Sequence, residues 1–140
     1  MSEVLVPFDN SPPARRALDH ALALARARAG TRLQVLCVLD EVGADTRELV
    51  DAAEIERVLA VESAGMLEPA RAVIDPTGVP CTYQSASGAA AQVIAEHARL
   101  HAVSEIVMGT RGLGTIPGLL LGSVAQRVLH LAACPVTLVK

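Results

Sequence analysis

Short apolar runs along this chain alternate with longer stretches in which apolar residues recur every three or four positions. Val4-Leu5-Val6 is the first run, and Ala14, Ala17, Leu18, Ala21, Leu22 and Ala25 follow it. That spacing predicts an amphipathic helix, opened by Asn10 or Ser11 with Pro12 and closed at Gly30. Leu33-Gln34-Val35-Leu36-Cys37-Val38-Leu39 reads as a buried strand. A charged helical stretch from about Thr46 to Ile74 returns the chain, and Gly65 and Pro69 are expected to kink or divide it. After the turn residues Asp75-Pro76-Thr77-Gly78, the segment Val79 to Ala86 predicts a third strand, and Ser87-Gly88 leads into a helix carrying Val93, Ile94 and Ala98. Ile106-Val107-Met108 predicts a fourth strand. A final helix carrying Val124, Val128 and Leu131 ends near Ala133, and Pro135 to Val139 forms the last strand.

Five strands alternating with four helices imply a doubly wound α/β domain, a parallel sheet with helices on both faces. One domain spanning 1–140 is expected, without internal repeat or linker. Such sheets bind ligands outside the carboxyl ends of the strands, where strand order reverses. If the first and fourth strands are neighbours there, Asp9 and Gly109 flank one crevice.

Composition narrows the partner. The chain is 51% hydrophobic yet has one Phe, one Tyr and no Trp, so its core is built from Ala, Val, Leu and Ile. Aromatic platforms for single-stranded nucleic acid are missing. A net charge of −3 without basic clusters argues against phosphate-backbone binding. No run approaches the ~18 apolar residues of a membrane span, and no signal-peptide pattern opens the chain, so a cytoplasmic protein is expected. Cys37, Cys81 and Cys134 are odd in number and widely spaced, without zinc spacing, and read as buried thiols. His20, His97, His101 and His130 fall on or at the ends of predicted helices. His97 and His101 have the i, i+4 spacing that can bind a metal, but no third ligand is evident.

The chemistry concentrates after the fourth strand. Gly109-Thr110-Arg111-Gly112 is followed, nine residues on, by Gly122-Ser123 at the start of the last helix. Glycines at both ends would let the main chain take positive φ and approach an anion, and a helix N-terminus favours phosphate. A Walker A loop is excluded, because the only Lys is Lys140. The dinucleotide fingerprint is also missing, since the first strand ends in Pro7-Phe8-Asp9.

Val4-Leu5-Val6-Pro7-Phe8-Asp9, the Gly-x2-Gly-x9-Gly-Ser spacing, and Gly122-Ser123-Val124-Ala125 running on to Ala133-Cys134-Pro135-Val136 together resemble the universal stress protein family, in its ATP-binding branch. The resemblance implies strand order 3-2-1-4-5 and a homodimer paired through the last strand, with Val136 and Leu138 at its edge. It also implies a nucleotide site of Pro7, Asp9, Val38, Met108, Gly109, Arg111, Gly112, Gly122, Ser123 and Val124. Asp9 and the Gly109 main chain would hold the ribose, Val38 would line the adenine pocket, and Met108 would neighbour the sugar. Gly112, Gly122, Ser123 and Val124 would hold the phosphates. The segment Leu113 to Leu121 departs from the family pattern, since it carries no charge where many relatives have basic residues. Arg111 is the nearest cation, and a bound Mg²⁺ or Mn²⁺ could supply more charge. The ligand is therefore expected to be ATP, or ADP or AMP.

The leading expectation is a nucleotide-binding stress-response regulator, acting through a dimer or a regulatory protein partner. The alternative is a nucleotide-free interaction module of the same fold. No catalytic residue is expected beyond slow ATP hydrolysis, because phosphoryl transfer needs a base, a cationic clamp and a metal carboxylate, and only Asp9 is in place.

Overall fold

The computed structural model describes residues 2–111 and 121–140. Its elements, in chain order, are β1 (Ser2–Pro7), α1 (Pro12–Ala27), β2 (Thr31–Leu39), α2 (Ala44–Leu49) and α3 (Ala52–Ile74). A short 3₁₀ turn (Asp75–Thr77) precedes β3 (Cys81–Ser87), α4 (Ala90–Leu100), β4 (Glu105–Gly109), α5 (Ser123–Leu131) and β5 (Val136–Val139). The five strands form one parallel sheet in the order β3-β2-β1-β4-β5. This is the predicted doubly wound architecture with the strand order implied by the family resemblance.

Alternation along the strands divides the core in two. Val4, Val6, Leu33, Val35, Cys37 and Val107 pack under α1 and α3. Leu5, Leu36, Ile106 and Met108 pack on the other face against Ala91, Ile94 and Ala98 of α4 and Ala125 and Val128 of α5. Central strands buried on both faces have no polar alternation, which is why β2 reads as one apolar run.

α1 begins at a built cap: Ser11 Oγ accepts the Ala14 N–H at 3.3 Å, and Pro12 and Pro13 occupy positions that have no N–H to satisfy. Its inward stripe of Ala14, Ala17, Leu18, Ala21 and Leu22 is buried. The alanines let the helix approach the sheet closely. At the end of β4 the approach is so close that a Cβ on Gly109 would lie 2.7 Å from Pro13 Cβ and 2.8 Å from the Pro13 carbonyl carbon.

The long helical stretch divides, but not at Gly65 or Pro69. α3 runs unbroken for 23 residues with Pro69 inside it. The break falls earlier, at Val50 in extended conformation and at Asp51, whose carboxylate accepts the Ala53 N–H at 3.3 Å and starts a new helix. A proline deprives the carbonyl four residues earlier of its helical partner. That carbonyl belongs to Gly65, an exposed position where water can satisfy it.

At one edge, β3 is tied down by the Tyr83 hydroxyl donating to Asp75 Oδ1 at 2.6 Å, with the Arg71 guanidinium 4.1 Å above the ring. At the other edge, Val136, Thr137, Leu138 and Val139 are all half-buried.

Two glycine substitutions separate packing from propensity. Gly109→Ala lowers the unfolding free energy by about 1–3 kcal/mol, because backbone rather than a flexible side chain stands in the way. Gly65→Ala, with nothing within 4 Å of its added methyl, raises it by about 0.5–1 kcal/mol. Urea denaturation at constant slope measures both.

Candidate functional site

Strand order reverses between β1 and β4, so the crevice outside their carboxyl ends is the expected ligand position. Asp9 lies just past β1. Its Oδ1 accepts the Ser11 N–H at 3.0 Å, closing a turn in which Asn10 takes φ +62° and accepts from Arg15 Nε at 2.9 Å. The carboxylate is thus held at the mouth of the crevice by the same turn that starts α1. Pro7 is buried at the end of β1, and Phe8 N–H donates to the Leu36 carbonyl at 2.8 Å, keeping the segment in the sheet to the edge of the crevice.

Across the crevice, Met108 is buried and Val38 of β2 is half-buried, both on the α4/α5 face. α5 starts on that face too. Gly122 is its N-cap, with φ −73° and ψ 163°, and Ser123 is its first helical residue. The Gly122 N–H donates to the Thr110 carbonyl at 2.7 Å, and the Thr110 N–H donates to the Val139 carbonyl at 2.9 Å. The helix start is therefore pinned through one residue to the end of β5. Among the described residues no side chain caps α5, and its N-terminal residues Ser123 and Val124 are exposed. First-turn N–H groups in that setting are suited to an oxyanion.

The glycines serve this geometry differently from the sequence expectation. Neither Gly109 nor Gly122 has positive φ. Gly109 is a glycine because α1 occupies the space a side chain would need. The Gly122 N–H is spent on Thr110, which leaves an anion only the first-turn amides that follow it. Arg111 is exposed just beyond β4, and Gly112 lies outside the described residues. Pro13 carries no motif signal and is revealed only by the closeness of α1 to β4, while Thr110, inside the glycine motif, shows its role only through its main-chain bonds to Val139 and Gly122.

The thiols are quiet. Burial first, then Glu62 and Asp9, pushes Cys37 up to about 11, and burial likewise takes Cys81 to about 11 and raises Cys134. Cys37 is buried, whereas Cys81 and Cys134 are half-buried. Among the described residues no group of three or more His, Cys, Asp or Glu could hold a metal ion. Nor is any helix among them long and apolar enough to cross a membrane. A groove of about 400 Å³ between α4 and α5, lined by Glu96, Arg99, Leu131 and Cys134, lies toward the opposite end of the sheet.

The His97–His101 pair packs rather than converging on a metal position. Buried Gln34 donates through Nε2 to Glu3 Oε2 at 2.9 Å, so its Oε1 accepts from His97 Nε2 at 2.9 Å. His101 Nδ1 donates to the His97 carbonyl at 3.0 Å, and the two rings stack with centroids 4.0 Å apart.

A five-stranded parallel sheet of this order, with Asp9 just past β1 and the start of α5 tied to the end of β4, defines a doubly wound α/β domain. The chain belongs to the universal stress protein family, whose model matches residues 1–140. It is 32% identical over 147 residues to Universal stress protein YxiE of Bacillus subtilis (strain 168), covering 99% of each chain. It is 36% identical over 142 residues to a Thermus aquaticus universal stress protein, covering 98% of this chain and 97% of the relative. Among solved structures, hypothetical protein MJ0577 superposes with a TM-score of 0.87 at 27% identity, covering 99% of this chain and 95% of that one. A universal stress protein solved in complex with cAMP shares the fold (TM-score 0.75, 23% identity, 99% and 97% covered). So does an Arabidopsis thaliana family protein solved with AMP bound (TM-score 0.72, 22% identity, 100% and 92% covered).

Burial first, and the neighbouring His101 second, lower the His97 pKa below the ordinary 6.5. Below that pH the unfolded chain therefore holds more protons at this site than the folded one, and stability falls as the solution is acidified. Urea midpoints measured between pH 7.5 and 5 decrease, and His97→Gln shows a smaller decrease.

Proposed function

We propose that this protein binds an adenine nucleotide at the switch-point crevice and acts as a stress-response regulator whose nucleotide state is passed on through a homodimer or a protein partner. The observation that carries the reading is that Asp9 after β1, Gly109 ending β4 and the start of α5 lie at the same end of the sheet, beside the point where strand order reverses. Relatives of the same fold solved with cAMP and with AMP bound lend it support.

Each side chain has a physical part in this reading. Asp9 accepts ribose hydroxyls, since an ionised carboxylate is an acceptor through both of its oxygens. Pro7, Val38 and Met108 give the base and sugar an apolar wall, and the Gly109 main chain borders the ribose. The first-turn amides from Ser123 and Val124 face the phosphates, with Gly112 and Gly122 shaping the loop and Arg111 adding charge. The ligand is ATP, or ADP or AMP. Mg²⁺ or Mn²⁺ would arrive with the nucleotide, because no cluster of His, Cys, Asp or Glu among the described residues could hold it and phosphate oxygens and water would supply ligands. The metal would neutralise phosphate charge. Residues 1–140 act as one cytoplasmic domain, and β5 pairs with its copy through the edge carrying Val136 and Leu138, which would otherwise stand open to association.

A specific observation favours a second reading, a nucleotide-free interaction module. The segment Leu113 to Leu121 has no charge, and the Gly122 amide is already committed to Thr110.

Calorimetric titration of the purified protein with Mg-ATP, Mg-ADP and AMP distinguishes the two. Saturable heat with at least one nucleotide is expected, with a rise in melting temperature equivalent to about 2.7 kcal/mol at 100 times the dissociation constant. Gly122→Val removes the binding while leaving the dimer intact, because a branched side chain crowds the phosphate approach. Absence of heat with all three nucleotides selects the interaction module.

A further inference from the structure

The lone lysine, far in sequence from the glycine loop, is brought to that loop by the topology. β5 runs parallel to β4 with Gly109 opposite Val139, and the ladder continues one step further through the Thr110 N–H to the Val139 carbonyl at 2.9 Å. Lys140 therefore leaves the sheet in strand register, at the same end as Asp9 and the start of α5. Arg16 Nε donates to the Lys140 carbonyl and holds that main chain against α1.

Parity fixes the face. Val136 and Leu138 pack on the α4/α5 side and Val139 packs on the α1/α3 side. Side chains alternate along a strand, so Lys140 departs on the α4/α5 side, where α5 begins. The Thr110 main chain links the two: its N–H bonds the Val139 carbonyl and its carbonyl accepts from Gly122. The lysine is exposed.

Resting on the nucleotide reading above, we infer that Lys140 supplies the counter-charge missing from the loop and selects for the distal phosphates of the nucleotide. β5 is the second strand over from β1 in the sheet order, about 10 Å across, so Lys140 stands away from Asp9, on the side where phosphates beyond the first would extend. A lysine there acts as a point charge on phosphate oxygens. AMP would not reach it, and ATP would.

The test is the ratio of ATP to AMP affinity by calorimetry at fixed ionic strength, in the parent protein and in Lys140→Gln, Lys140→Arg and Arg26→Gln. Arg26 is an exposed cation in the last turn of α1 and controls for net charge. The expected result is that Lys140→Gln lowers the ratio about five- to ten-fold by weakening ATP alone. Lys140→Arg keeps most of the ratio and Arg26→Gln leaves it unchanged. An unchanged ratio in Lys140→Gln, or an equal fall in Arg26→Gln, overturns the role of Lys140 while leaving the crevice intact. No heat from either nucleotide with the parent protein overturns the nucleotide reading and the lysine's role together.

Discussion

The close seating of the first turn of α1 on the end of β4 is the contact from which the rest of this end of the molecule follows. With Pro13 where a Gly109 side chain would be, α1 and β4 meet main chain to main chain. The turn leading into α1 must then close tightly, and Asp9 closes it by accepting from Ser11. One contact thereby sets both sides of the switch-point crevice. A methyl at position 109 would displace backbone on one side or the other, and interiors packed at crystal density do not absorb such shifts freely.

A second constraint places the start of α5. Thr110 bonds Val139 with its N–H and Gly122 with its carbonyl, so the start of α5 is tied to the β4–β5 ladder. These ties are main-chain hydrogen bonds set by sheet and helix geometry. Amide dipoles at a helix start favour an anion, and Arg15, Arg16, Arg111 and Lys140 stand as cations at this end of the sheet.

Much of this was legible in the chain. Short apolar runs and period-3.6 patterns identify all five strands and the main helices between them, and the spacing from Gly109 to Gly122 points to the end of β4 and the start of α5. The sequence misleads where a residue has two physical uses. Gly109 looks like a residue chosen for positive φ, and its actual reason is a neighbour distant in sequence. Pro69 looks like a helix breaker, yet in α3 the carbonyl it orphans is at an exposed glycine, while the Asp51 cap makes the break. Lys140 looks irrelevant to a phosphate loop until parallel pairing places the end of β5 beside it. Pairing across the sheet and helix-on-strand distances are non-local, and no local pattern encodes them.

The central claim is that a nucleotide occupies the crevice with its phosphates on the start of α5. Amide hydrogen exchange with and without saturating Mg-ATP tests it most directly. Seating of the nucleotide there predicts slowed exchange at Ser123, Val124 and Ala125 and in the Asp9–Ser11 turn, with the amides of β3 at the far edge unchanged. Unchanged exchange at the start of α5 in protein shown to be saturated with ATP would contradict it.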